Sequence, residues 1–183
     1  MRLLIFSTLL YLNINLNIVI AAMGAGICPI SKFRNNIYVL LGQERFNNQW
    51  SDFGGSRNGN ETPYQTACRE GYEELDGFLG SEQDIKNLVN TRFIHKLENN
   101  NNYHSFLFQV DYDKKLPFYF NNHHKFIEKE TKNICGRNGL YEKKEIKWFT
   151  ISELKNLENV RPHFKIIIEN IILLCDDLNC ILD

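Results

Sequence analysis

The sequence predicts an α/β sandwich built on a mixed β-sheet. Three observations carry the prediction. Runs rich in β-branched and aromatic residues, such as 36–45 and 103–112, read as strands bounded by turn residues. Segments with helical periodicity begin near Pro63 and near Pro162. In order, the elements run strand, strand, helix, strand, strand, strand, helix, the pattern of helices packed on a sheet. The 183 residues, 43% hydrophobic and 13% aromatic, suffice for one domain with its own core.

The chain opens with an apolar stretch, 1–22, with a basic residue at Arg2 and small residues at Ala21 and Ala22. It reads either as a secretory signal or membrane anchor, or as an extension upstream of Met23. Asn13, Asn15 and Asn17 interrupt it. The domain is expected over 23–183. Its first strands are 25–31 and 36–45, and the stretch 47–55 is a loop ending on Gly54 and Gly55. Thr62 suits an N-cap and Pro63 a first helical position. Tyr64, Ala67, Cys68, Gly71 and Leu75 then share one helix face. Ser81 opens a second short helix reaching Val89. Residues 91–98 and 103–112 form a hairpin around the asparagine-rich loop 99–102. The segment 111–140 is polar and reads as irregular. A strand over 145–151, a helical turn from Ser152 and a C-terminal helix from Pro162 complete the chain.

Net charge is −1, so no global basic field points to a nucleic-acid binder. The cysteines Cys28, Cys68, Cys135, Cys175 and Cys180 are odd in number and include no C-x-x-C pair. They suggest neither a disulfide framework nor a zinc site. Reduced thiols favour a cytoplasmic location; a secretory or membrane-anchored one hangs on 1–22. The 23 asparagines read as loop filler.

Glu70, Glu73 and Glu74 crowd the first helix. Residues three and four apart share a face, where like charges repel by about 0.2–0.5 kcal/mol per pair. A hard divalent cation removes that repulsion, and carboxylate oxygens are the ligands that Mg2+ and Mn2+ take. Alone, such a cluster is commonly a solvated acidic face. Here Gly55, Glu61, Arg69, Glu70, Glu73 and Glu74 fall in the spacing G-x5-E-x7-R-E-x-x-E-E. That spacing resembles the Nudix box, G-x5-E-x7-R-E-U-x-E-E-x-G-U, where U is a bulky aliphatic. Two positions depart from it. Gly71 stands at the first U, and Asp76 stands where the closing glycine is expected, before Gly77 and Phe78.

The resemblance implies a Nudix-type α/β/α sandwich with a mixed β-sheet. It also implies a metal-dependent hydrolase that cleaves a diphosphate linkage in a nucleoside diphosphate joined to another moiety. By their places in the box, Glu70, Glu73 and Glu74 would hold Mg2+ or Mn2+, with Glu73 and Arg69 part of the catalytic set. Arg69 would support the carboxylates and pair with Glu61. Gly54 and Gly55 would let the backbone approach metal and substrate. The family often has a further acid outside the box. Glu142 and Glu145, six and three residues before Trp148, are the candidates, with Glu142 preferred as base.

The substrate would be a small nucleoside diphosphate derivative, with mRNA decapping or hydrolysis of diphosphoinositol polyphosphates as alternatives. Capped RNA would use the late basic residues Lys143, Lys144, Lys147, Arg161, His163 and Lys165. A catalytically silent Nudix module that only binds a nucleotide is the non-enzyme alternative; the intact glutamates argue against it. Nothing in the sequence assigns a protein partner or an oligomeric state. Cys68 reads as small core filler and His123 with His124 as a surface-loop pair. Trp50, Phe53, Tyr72 and Phe78 are candidates for stacking on a base.

Overall fold

The computed structural model describes residues 24–131 and 141–182. The apolar stretch 1–22, Met23 and Cys135 lie outside the described residues.

Strands β1 (Gly24–Phe33) and β2 (Asn36–Glu44) form a hairpin. Arg34 and Asn35 close it, both left-handed at φ 50° and 62°. Two consecutive left-handed residues match the twist of the flanking strands. Two short strands, β3 (Trp50–Ser51) and β4 (Phe53–Ser56), occupy the stretch that reads as a loop in the sequence. Helix α1 (Pro63–Glu74) and helix α2 (Glu82–Thr91) follow, the second capped by Ser81. Strands β5 (Phe93–Glu98) and β6 (Tyr103–Gln109) form the predicted hairpin. After helix α3 (Leu116–Glu130) come strand β7 (Lys143–Thr150) and helix α4 (Ile151–Lys155). A 3-10 turn (Pro162–Phe164) leads into α5 (Lys165–Leu173) and α6 (Cys175–Ile181).

The sheet has seven strands in the order β3-β2-β1-β6-β5, with β4 paired to β1 and β7 to β2. The β1–β6 pair is parallel and the other pairs are antiparallel, so the sheet is mixed as predicted. Successive strand residues point to opposite faces, and the core divides accordingly. Ile27, Leu40 and Phe106 face α1, α2 and α3, while Cys28, Leu41 and Leu107 face α4, α5 and α6. Trp50 and Phe53 belong to these two cores and are buried, so neither is a free stacking surface.

Three further elements differ from the sequence reading. The segment read as irregular contains α3. Its buried residues are Phe120 and His124, four apart, and a histidine in a core position hid the period. His124 is therefore not in a surface loop: its ring stacks on Phe120 at 4.0 Å, and Nε2 lies 2.6 Å from Asp76 Oδ2. Helix α4 starts at Ile151, one residue early, because Thr150 and Glu153 cap it reciprocally. The C-terminal helix breaks at Leu174 into two pieces. Among the described residues no helix is long and apolar enough to cross a membrane.

Candidate active site

Helix α1 is fixed at its start by a reciprocal cap. The Thr62 hydroxyl accepts from the Gln65 backbone N–H, and the Gln65 side chain accepts from that of Thr62. Its apolar stripe, Ala67, Cys68 and Gly71, packs into the core that lines one sheet face. Cys68 is core filler as expected, its thiol pushed up to about 11 chiefly by burial.

Arg69 is the hub of the polar face. Its Nε and Nη2 donate to the two oxygens of Glu61 at 2.8 and 3.0 Å. Its Nη1 donates to Glu73 at 2.9 Å and lies 2.9 Å from Glu70 Oε1, and Nη2 also reaches the Ser56 carbonyl at 3.0 Å. A two-pronged guanidinium–carboxylate contact is the strong geometry for such a pair. It holds the Glu61 carboxyl down to about 2 and ties the loop before α1 to the helix.

The three box glutamates do not share one direction. Glu73 turns to Arg69 and stays partly exposed. Glu74 turns inward and is buried, its Oε2 accepting from the Gly54 backbone N–H at 2.7 Å. Glu70 lies against Gly55, where a Cβ would come within 2.6 Å of the Glu70 carboxyl carbon. A Cβ on Gly54 would overlap the Tyr103 hydroxyl. The glycine pair thus makes room for a carboxylate on one side and a phenol on the other. Burial pushes the Glu74 carboxyl up to about 8, against the pull of Lys143 and with the push of Glu44, Glu142 and Glu70. Burial also raises the Glu70 carboxyl, against Arg69 and with Glu73 and Glu142. Glu142 thus disfavours the charge of both. Glu145 pairs with Gln43 inside the sheet ladder.

No family model matches the chain, and no curated protein matches it either. Solved structures do. A Nudix hydrolase from M. smegmatis, RenU, matches with a TM-score of 0.54 at 14% identity, over 86% of this chain and 88% of that one. An Ap4A hydrolase of C. elegans, in a binary complex, gives 0.50 at 14%, over 87% and 97%. A bifunctional NMN adenylyltransferase/ADP ribose pyrophosphatase from Francisella tularensis, complexed with AMP and Mn ion, gives 0.53 at 16%, over 82% of this chain and 41% of that one. The chain has the Nudix fold.

The two departures from the Nudix box have structural answers. A Cβ on Gly71 would overlap Ile27 Cδ1, so Ile27 reaches from the sheet into the place where an aliphatic on the helix would pack. Asp76 adopts φ 47°, the left-handed turn usually given to glycine, and directs its carboxylate to His124. Asp76 and Gly77 are both left-handed, so the turn is completed one residue later than in the box.

Residues that the Nudix box does not contain lie behind these glutamates. Lys143 is fully buried; it donates to Glu44 Oε1 at 2.5 Å and to Ser51 Oγ at 2.8 Å, and lies 3.3 Å from Glu74 Oε2. Arg161 Nη1 donates to the same Glu44 oxygen at 2.9 Å. Alternating charge therefore runs Arg161, Glu44, Lys143, Glu74. The sequence places Lys143 in a basic track, but the β2–β7 register shifts between Gln43 and Glu44, beside the Glu44–Lys143 pair. Lys144 and Lys147 are engaged by Asn48 and Glu153, so the track is not continuous. Beneath the glycine pair, buried Asp52 accepts from the Tyr103 hydroxyl at 2.8 Å and the Ser105 hydroxyl at 2.6 Å. Asn99 is no filler: its Nδ2 donates to the His163 carbonyl at 2.7 Å, and its Oδ1 accepts from the backbone N–H of Asn101 and Tyr103.

Among the described residues no three acidic, histidine or cysteine side chains stand together at metal-binding spacing. Arg69 and Lys143 engage the box carboxylates instead. The donor chemistry still fits a hard divalent cation, because Glu70 and Glu74 bring only oxygen and neighbouring carboxylates disfavour the charge of both.

Proposed function

We propose that the protein is a metal-dependent Nudix hydrolase cleaving a diphosphate linkage in a nucleoside diphosphate derivative. The observation that carries this reading is the seating of Glu74 on the Gly54 backbone N–H and of Glu70 against Gly55, on a Nudix fold. Two structural neighbours, an Ap4A hydrolase and an ADP ribose pyrophosphatase complexed with AMP and Mn ion, support a nucleotide substrate and Mg2+ or Mn2+.

Glu70 and Glu74 would hold the cation, with Glu73 joining when it leaves Arg69. A bound cation supplies charge neutralisation and polarisation of the phosphoryl oxygens. Arg69 keeps Glu70 and Glu73 from swinging into solvent. Glu142, on the segment just before β7, acts as base and takes a proton from the attacking water. Gly54 and Gly55 bring backbone against the substrate where a side chain would not fit.

The test is a panel of nucleotides, including ADP-ribose, Ap4A and a nucleoside triphosphate, incubated with Mg2+ or Mn2+ and followed by phosphate-product release. Turnover should vanish on chelation and return with metal. Glu73→Gln should lower turnover by roughly a hundredfold or more with an unchanged melting temperature. A folded wild-type protein that turns over nothing in the panel, while binding nucleotide, would favour the silent module instead.

A further inference from the structure

A cleft of about 260 Å3 adjoins the glycine pair, lined among others by Gly54, Gly55, Tyr103, Arg161 and His163. Its size is below that of sites for whole drug-sized ligands, so it takes one part of a substrate. The walls are held from behind. The Tyr103 hydroxyl is fixed by Asp52, and the His163 ring tilts against Tyr103 at 4.6 Å. Arg161 donates through Nη1 to Glu44 and through its backbone N–H to the Trp50 carbonyl. One corner of the guanidinium is thereby anchored, and 35% of the side chain remains exposed. No acidic side chain lines the cleft.

The charge on these walls is positive and steady. Burial, then Arg161 and Lys143, drive the proton off the His163 imidazole, down to about 4. The imidazole is thus neutral near pH 7, and its Nε2 is buried without a hydrogen-bond partner. Such an atom is unfavourable until a ligand or a ring movement satisfies it. A guanidinium offers paired N–H donors that match phosphoryl oxygens. Sugar hydroxyls, by contrast, are commonly read by a carboxylate, and the cleft has none.

We propose that Arg161 and His163 form a subsite for a phosphoryl group lying outside the scissile diphosphate, so that the enzyme prefers a polyphosphate chain to a diphosphate capped by a neutral sugar. The proposal rests on the hydrolase reading above and names its substrate class.

Kinetics on a dinucleoside tetraphosphate and on ADP-ribose test it. Wild type should show the higher kcat/KM on the tetraphosphate. Arg161→Gln should raise KM for the tetraphosphate roughly tenfold or more, with kcat little moved, and leave ADP-ribose kinetics near wild type. Arg161→Lys keeps a cation beside Glu44 but loses the fork, and should fall between. If Arg161→Gln does not fold, Arg161→Lys and His163→Phe carry the same comparison. Equal losses on both substrates overturn the subsite while the hydrolase reading stands, as does a wild type that prefers ADP-ribose. If neither substrate is hydrolysed with Mg2+ or Mn2+, the hydrolase reading fails. Calorimetry with inorganic tripolyphosphate then judges the subsite alone. Binding weakened by Arg161→Gln supports it, and binding unchanged or absent overturns it.

Discussion

Lys143 Nζ lies 3.3 Å from Glu74 Oε2, and both side chains are buried. The same ammonium also serves Glu44, so one cation balances two buried carboxylates. Breaking such an arrangement by removing one member leaves charge uncompensated in a low dielectric. Lys143→Met is expected to destabilise the fold by about 3–5 kcal/mol, read by urea denaturation. Lys144→Met, one residue on and bonded only to Asn48, should cost well under about 1 kcal/mol. Comparable losses would mean that Lys143 does not close the network.

The acid outside the box separates by reach. Glu142 pushes on both Glu70 and Glu74, while Glu145 sits opposite Gln43 in the sheet. Glu142→Gln should depress turnover by roughly a hundredfold or more, with substrate affinity changed little. Glu145→Gln should remain within a few-fold of wild type. A crippled Glu145→Gln beside a normal Glu142→Gln would reverse the assignment.

Gly71 tests packing against propensity. Alanine at a helical position gains about 1 kcal/mol over glycine, but here its Cβ would overlap Ile27 Cδ1 in a fully buried contact. Overpacking of this kind costs about 1–3 kcal/mol, so Gly71→Ala should lower the melting temperature. Ile27→Val removes Cδ1 but leaves Cγ1, which would lie 2.5 Å from the new Cβ, so the double variant should recover only part of the loss. Additive losses in that cycle would show that the two sites do not touch.

Asp52 sets a pH dependence of stability. Burial raises its carboxyl from 3.8 to about 6, against the bonds from Ser105 and Tyr103. A group whose folded pKa is raised stabilises fully below its unfolded pKa and loses that contribution as pH rises through the folded one. The window therefore runs from about pH 4 to about pH 6, and the shift corresponds to roughly 3 kcal/mol. Between those limits wild type should lose stability relative to Asp52→Asn, in which nothing titrates at that position. Parallel stability curves for the two proteins would show that Asp52 does not titrate abnormally.

Much of the site was legible because its parts are local in sequence. The cap at Thr62, the Arg69–Glu61 pair and the glutamate spacing all lie within one loop and one helix. The direction of each glutamate was not legible. Helical spacing places Glu70, Glu73 and Glu74 on one side, but Glu74 goes inward because Gly54 and Lys143 receive it. Lys143, Glu44 and Arg161 could not be joined from the sequence, since they lie 99 and 117 positions apart. Helix α3 was missed for a simpler reason. Asparagine and histidine suggest a loop, yet Asn121 bonds the Ile146 backbone, and His124 takes a core position. The signal that could have found it is Leu116, Phe120 and Ile127, which recur at helical intervals once His124 is counted as apolar.

Asn99 joins Tyr103 and His163, two rims of the cleft, like a tie-rod. It grips the His163 carbonyl 64 positions away while bracing its own turn. The two rims it joins cannot part without breaking that amide's bonds. The distance between those rims therefore hangs on a single amide side chain. Trimming this one side chain to alanine would free the rims to drift apart and turn a gauge into a gap.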